Sequence, residues 1–228
     1  MRMKKIMFSD RYGLTEAVLK GRKTMTRRIV PIGLYNQTDW KAISEGDYEA
    51  VVDGEGYYHD IRLCGQYQIG EEVAVAQSYS NLREVLANRN FKRTDALYDK
   101  FYRAMQMGEA HDGMPGWDNK MFVRADLMPH RIRITDMKVE QLQDISEEDA
   151  MREGIFKYEK PPLHHECDPF APWPPYVKPY KHDHDNLIYR CSARWAFACL
   201  IDKVNGGGTW NSNPWVFAYT FEQTTYNK

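Results

Sequence analysis

The sequence of 228 residues predicts an α+β fold. Segments with the alternating pattern of strands are separated by single helices at irregular spacing, and no internal repeat occurs. The most regular strand pattern covers 131–142, and the longest helical pattern covers 189–204. The irregular spacing of these elements favours this class over a doubly wound sheet.

The first half of the chain begins with a strand, a helix and a second strand. Gly21 follows a helical pattern, where a left-handed glycine commonly ends a helix. Asp53 and Gly54 form a dipeptide typical of a hairpin turn. The elements predicted up to residue 120 are, in order, a strand over 4–9, a helix over 15–20, a strand over 24–30, an insertion over 32–68, a strand over 72–78, a helix over 81–88 and an excursion over 90–120 with a DGMPG turn.

The second half is predicted to contain two strands and two helices. Ile132 and Ile134 alternate with polar residues, so one face of that strand is expected to be buried. Ser146, three residues before Asp149, predicts the start of a helix that ends at Gly154. The remaining elements are a proline-rich loop over 156–186, a helix over 189–204 with Cys191, Trp195, Ala198 and Cys199 on one face, and a strand over 214–222.

Residues 20–28, KGRKTMTRR, carry five cations and no acid, although the whole protein has a formal net charge of −1. The hydroxyls of Thr24 and Thr26 lie within this basic segment. Such a field favours an anionic ligand such as phosphate, and neighbouring cations lower the pKa of a lysine among them. The alternative is a solvated turn whose cations favour the carbonyl end of the preceding helix.

Composition argues against several classes of protein. No apolar run approaches the roughly 18 residues of a membrane span, and the N-terminal segment has no apolar signal core, so a cytoplasmic protein is expected. The four cysteines show no C-x-x-C spacing, which fits a reducing compartment. Five candidate zinc ligands match no common spacing, so no metal or cofactor is expected. They are His164, His165, Cys167, His182 and His184.

Several blocks of the chain, in their order, resemble ASCH domain proteins of the PUA-like superfamily, in particular the longer phage and prophage-type members. The blocks are GRKTMTRR, the strand that begins GEEV at Gly70, RIRITDMKVEQLQDISEEDAMREGI, and the helix ending at Asn205 with NPWVFAYTFE. The resemblance implies one domain over 1–228, a compact PUA-like β-barrel with flanking helices. Insertions at about 32–68, 90–120 and 156–188 are not explained by it.

The resemblance also implies a function. Family members are thought to bind RNA or nucleotides, and small bacterial members are amidohydrolases that remove the acyl group from N4-acetylcytidine. RNA, a nucleotide or a modified nucleoside is therefore the expected ligand, and Lys23, Thr26 and Glu153 match the catalytic residues of the small members. The side chains expected to bind the ligand are Arg22, Thr24, Arg27, Arg28, Gln77 and Tyr79.

The residue types fit these roles on chemical grounds. A threonine hydroxyl becomes a nucleophile when a base takes its proton, and Lys23 can be that base if the neighbouring arginines lower its pKa. Glu153 is expected in the last helical turn, where the dipole disfavours a negative charge and suits a proton donor. The alternatives are a solvated Glu153, and a Lys23 and Thr26 that only contact phosphate.

A function without catalysis is the alternative class. Gln77 stands where many longer relatives carry an Arg-Glu pair, and its neutral amide cannot serve as acid or base. A protein–protein interaction module would use the basic segment to bind an acidic patch, with the insertions supplying the interface. An isoelectric point near 6.7 argues against sequence-independent binding of duplex nucleic acid. Four aromatic residues are candidates for base stacking or for the core: Tyr79, Trp210, Trp215 and Tyr219.

Overall fold

The structure, a computed structural model, falls into two compact units. Unit 1 comprises Met1–Phe8, Glu71–Arg133 and Gln223–Lys228, and unit 2 comprises Ser9–Gly70 and Ile134–Glu222. The residues described are 3–31, 41–45, 48–52, 58–60, 65–88, 96–157, 170–171 and 192–224.

The described strands form one mixed sheet and two small antiparallel ones. The strands are β1 (Lys5–Ile6), β2 (Met25–Ile29), β3 (Lys41–Glu45), β4 (Tyr48–Val52), β5 (Tyr58–Asp60), β6 (Glu72–Val75), β7 (Arg131–Gln141), β8 (Phe156–Lys157), β9 (Phe170–Ala171) and β10 (Trp215–Thr224). The mixed sheet has the order β1-β6-β7-β10-β2, while β3, β4 and β5 pair in sequence and β8 pairs with β9. The predicted α+β class is thus observed. The described strands leave the mixed sheet open between β1 and β2, so a closed barrel is not confirmed.

The helices agree with the sequence signals where these were local. They are α1 (Leu14–Leu19), α2 (Tyr79–Asn88), α3 (Ala96–Gln106), α4 (Pro115–Asp118), α5 (Glu147–Arg152), α6 (Ala193–Asn205) and α7 (Thr209–Ser212). Gly21 and Gly154 have φ of 72° and 98°, which confirms both predicted stops. The Ser146 hydroxyl accepts the N–H of Asp149 at 3.0 Å, which confirms the predicted cap. Across the described ranges, every helix is too short or too polar to cross a membrane.

Unit 1 contains a helix that the sequence patterns did not predict. Helix α3 lies within the excursion expected over 90–120, and its residues Leu97, Phe101 and Ala104 are buried. Their spacing places them on one face of a helix. They join a core cluster with Leu82 of α2 and Met128. The charged residues between them hid this short periodic pattern from sequence analysis.

Unit 2 is organised around the pairing of β10 with β2. The register places Thr26 opposite Tyr219 and Arg28 opposite Phe217. Residues 216–219 of β10 are buried, so this strand contributes to the core. Of the residues expected on one face of α6, Ala198 is buried, whereas Trp195 is 59% exposed; Phe197, outside that set, is 1% exposed. Cys191 lies outside the described residues. Packing, which periodicity alone does not specify, selected the face.

The predicted insertions are only partly covered by the described residues. Strands β4 and β5 pair antiparallel with Val52 opposite Tyr58, as the predicted hairpin requires, although Asp53 and Gly54 themselves lie outside the described residues. Two short strands, β8 and β9, lie within the proline-rich loop predicted over 156–186, and neither was predicted. The candidate zinc ligands at 164–184 also lie outside the described residues. Within the described part of the chain, no group of three or more candidate ligands could hold a metal.

Candidate functional site

The basic segment is held between α1, α5 and β10. After Gly21, the N–H groups of Arg22 and Lys23 both donate to the carbonyl of Ala17, at 2.9 and 3.0 Å. The Thr24 N–H then donates to the carbonyl of Arg152 at 2.9 Å. These bonds bring the first residues of β2 to the C-terminal end of α5, where Glu153 and Gly154 follow.

Lys23 and Glu153 form a buried pair. The Lys23 ammonium donates to Glu153 Oε2 at 2.5 Å and to the Glu153 carbonyl at 2.8 Å. The side chains are only 2% and 4% exposed. Gly154 follows directly in a left-handed conformation, and a Cβ there would lie 3.4 Å from Lys23 Cβ. The turn after α5 therefore packs directly against the lysine. The expectation that Lys23 and Glu153 lie together is met.

Burial lowers the pKa of Lys23 below its ordinary value. The charge of Glu153 and its hydrogen bond act in the opposite direction, while the charges of Arg28 and Arg27 add to the lowering. The sequence predicts this direction through repulsion by the neighbouring arginines. In the structure desolvation is the larger cause, and the arginines contribute less.

Arg27 is the side chain that joins this pair to the rest of unit 2. Its guanidinium has no exposed surface and contacts three carboxylates. Nη1 donates to Glu153 Oε1 at 3.1 Å, and Nη2 donates to Asp149 Oδ2 at 3.1 Å. Glu140 Oε1 accepts from Nε at 2.8 Å and lies 2.6 Å from Nη2. The sequence analysis expects Arg27 to bind the ligand. In the structure its donors instead contact carboxylates inside the protein.

Two half-exposed cations complete the cluster toward solvent. Lys138 contacts Glu140 and Asp149 at 3.0 and 2.9 Å, and Arg152 contacts Asp149 at 3.3 Å. Burial acts to raise the pKa of Asp149, but the hydrogen bond and charge of Lys138, together with Arg27, outweigh it and lower that pKa. The cluster is thus continuous from half-exposed Lys138 to buried Lys23.

Thr26 and Arg28 leave β2 on the face opposite to Arg27, because side chains alternate along a strand. Thr26 is buried opposite Tyr219, and Arg28 is half-buried opposite Phe217. Burial raises the pKa of Tyr219 to about 12, so this phenol is neutral at physiological pH. The positive charge of Arg28 lowers the pKa of Lys23. The direct contact with Glu153, by contrast, is made by Arg27.

The other expected ligand-binding residues are divided between the units. In unit 2, Arg22 stacks on the Phe156 ring at 5.0 Å, and Thr24 is half-buried. In unit 1, Tyr79 is buried beside Phe101, and burial raises its pKa. Gln77 is also buried, and within the described residues its Oε1 has no hydrogen-bond partner. Of the four aromatic stacking candidates, Tyr79, Trp210 and Tyr219 are buried and belong to the core, and Trp215 is half-buried.

Three side chains of this ion-pair cluster were not predicted as site residues: Lys138, Glu140 and Asp149. The first two occupy the polar face of β7, two residues apart, where solvated charges are the usual interpretation. Asp149 was assigned only to the start of α5, through its N–H. The sequence holds one weak indication of these residues: Glu140 and Asp149 lie on either side of the predicted connection between a strand and a helix.

Comparison with known proteins assigns no relative to this chain. No family model, no curated protein and no solved structure matches it. The resemblance to ASCH domain proteins rests on the sequence motifs alone.

Proposed function

We propose that unit 2 binds RNA, a nucleotide or a modified nucleoside at the basic segment and hydrolyses the N4-acyl group of a cytidine. The observation that carries this proposal is the buried Lys23–Glu153 pair, joined at 2.5 Å, with a lowered pKa at Lys23. Lowering the pKa of a lysine favours its neutral amine, the form that can act as a general base. The PUA-like architecture implied by the sequence motifs belongs to the same proposal.

Binding is assigned to the cations of the segment that remain toward solvent. Lys20 is exposed, and Arg22 and Arg28 are half-buried. Cations clustered on a protein of nearly zero net charge create a local field that attracts phosphate. Arg27 is not included, because its guanidinium is occupied by three carboxylates. Three cations are enough for a nucleotide or a short single strand, and too few for a duplex-binding face.

The proposed reaction uses Thr26 as the nucleophile. The neutral amine of Lys23 takes the hydroxyl proton while the oxygen attacks the acyl carbon. The C–N bond then breaks, and the departing N4 amine receives that proton from Lys23, directly or through Glu153 Oε2 at 2.5 Å. Water hydrolyses the threonyl ester, which releases the carboxylic acid and restores the hydroxyl. Glu153 accepts hydrogen bonds from two cations, so it fits a proton relay better than an independent acid.

The test is release of acetate from N4-acetylcytidine by the full chain. Thr26→Val keeps the shape of the side chain and removes the hydroxyl, so turnover should be lost, whereas Thr26→Ser should retain part of it. Lys23→Met and Glu153→Gln should each abolish turnover, and combining them should cost little more, because the residues act as one unit. Wild-type protein that binds the nucleoside and never releases acetate would contradict the reaction. Absence of both binding and turnover would favour a protein partner.

A further inference from the structure

We propose that Arg27 is a positioning residue that holds the Lys23–Glu153 pair in its geometry, and that Glu140 and Asp149 hold Arg27. The inference rests on the proposed function of that pair. It concerns a side chain with no exposed surface, which a ligand cannot contact without rearrangement. Arg27 therefore acts through Glu153 and does not touch the substrate.

Both oxygens of Glu153 are held by cations. Arg27 Nη1 contacts Oε1 at 3.1 Å, and Lys23 Nζ contacts Oε2 at 2.5 Å. With one oxygen directed to each donor, rotation of the carboxylate would break one of the two bonds. Charge-assisted bonds of this kind are stronger than neutral ones, so the orientation of Glu153 is well determined.

Arg27 is itself held on every side of its planar group. Its remaining donors contact Glu140 and Asp149 as described above, and Nη1 also lies 3.2 Å from Met25 Sδ. The guanidinium stands 5.9 Å from the centre of the Phe197 ring. Arginine presents five donors in a rigid fork, whereas a lysine would offer one ammonium and could not reach three carboxylates at once.

The charges of the cluster indicate what this arrangement does to Lys23. The groups facing Lys23 are Glu153 from the end of α5, and Arg27 and Arg28 from β2. The ion pairs described above join four cations, Lys23, Arg27, Lys138 and Arg152, to three carboxylates, Glu140, Asp149 and Glu153. Cations therefore outnumber carboxylates among these paired groups, and Arg28 adds a further positive charge near Lys23. The positive charge of Arg27 thus disfavours the ammonium form of Lys23 while its fork holds Glu153 in place.

Stability alone gives little reason to keep such a cluster. Replacing a buried ion pair by apolar side chains of similar volume is often neutral or stabilising, because the charges no longer have to be desolvated. If the ions hold the Glu153 carboxylate in the orientation that the proposed function needs, their presence in the interior is explained.

The experiment follows Lys23 directly and turnover separately. Full-length protein with 13C-labelled lysine side chains is titrated by NMR, and the Lys23 resonance is identified by its loss in Lys23→Arg. In Arg27→Gln, Lys23 should titrate at higher pH, since one neighbouring positive charge is gone and Glu153 Oε1 is released. Arg27→Lys keeps the charge and loses the fork, so the upward shift should be smaller. Arg11→Gln removes an exposed cation of unit 2 and should leave the titration unchanged.

Turnover adds a readout that a purely structural role would not produce. With N4-acetylcytidine, kcat should fall by about 100-fold in both Arg27 variants, as for a misplaced catalytic group, while KM changes little. An unchanged Lys23 titration in folded Arg27→Gln overturns the proposal, even if kcat falls. Should Arg27→Gln fail to fold, the same criterion applies to Arg27→Lys. If wild-type protein shows no turnover but the titration shifts, the positioning role stands and the proposed reaction fails.

Discussion

We expect Lys23 to make the free energy of unfolding of this protein increase with pH. Burial lowers its pKa in the folded protein, whereas the unfolded chain titrates near the ordinary value of about 10.4. Between these two values the unfolded chain binds more protons than the folded one, so the folded state gains stability as pH rises. A lysine stabilised mainly by its ion pair would show the opposite slope, because its folded pKa would be raised.

The size of the effect follows from a single proton. One group that is protonated only in the unfolded state changes the free energy of unfolding by at most about 1.4 kcal/mol per pH unit. Lys23→Met keeps a side chain of similar length and removes this contribution. The difference in unfolding free energy, wild type minus variant, should therefore increase with pH. Tyr219, with a pKa of about 12, gives an opposite slope once unfolded tyrosines ionise near pH 10, but both proteins carry it and its contribution cancels in this difference.

The assay is urea denaturation of wild type and Lys23→Met at several pH values from about 7 to 9.5. Lys203→Met is the matched control, because it makes the same substitution at an exposed lysine of α6 and removes no buried charge. A flat difference for Lys23→Met would mean that Lys23 keeps its proton throughout this range. A difference that falls with pH would mean that Glu153 outweighs burial, and the role of Lys23 as a base would then be refuted.

Two further predictions concern packing and charge. Gly65→Ala places a Cβ 2.5 Å from Met137 Sδ and 2.9 Å from Tyr219 Oη, and this overpacking should lower the free energy of unfolding by about 1–3 kcal/mol. Thermal unfolding measures the loss. Gly207→Ala is the control and should be nearly neutral, because its Cβ would have no atom within 4 Å. Binding of single-stranded RNA through Lys20, Arg22 and Arg28 should weaken with salt, with a log–log slope of about −2 for three phosphate contacts. A salt-independent affinity would argue for a free nucleoside or a protein partner instead.

Sequence reasoning succeeded where the physical signal is local. Gly21 and Gly154 end helices, and Ser146 caps one, because each acts on backbone groups within a few residues. The alternation at Ile132 and Ile134 predicted β7 for the same reason. Helix α3 was not predicted. Its three buried residues, Leu97, Phe101 and Ala104, are separated by charged residues, and so short an apolar pattern is ambiguous without the core that it packs against.

The sequence by itself determined which residues are candidates: the basic segment, Thr26 and Glu153 were all named from their types and motifs. Only the tertiary structure decided their surroundings. Arg27 meets Glu140 and Asp149 across 113 and 122 positions of the chain, a pairing that local patterns do not encode. The fold also decided that Lys23 is buried, and desolvation is a property of packing rather than of neighbouring residues. For that reason the sequence identified the lysine, whereas the interior of unit 2 determines its chemistry.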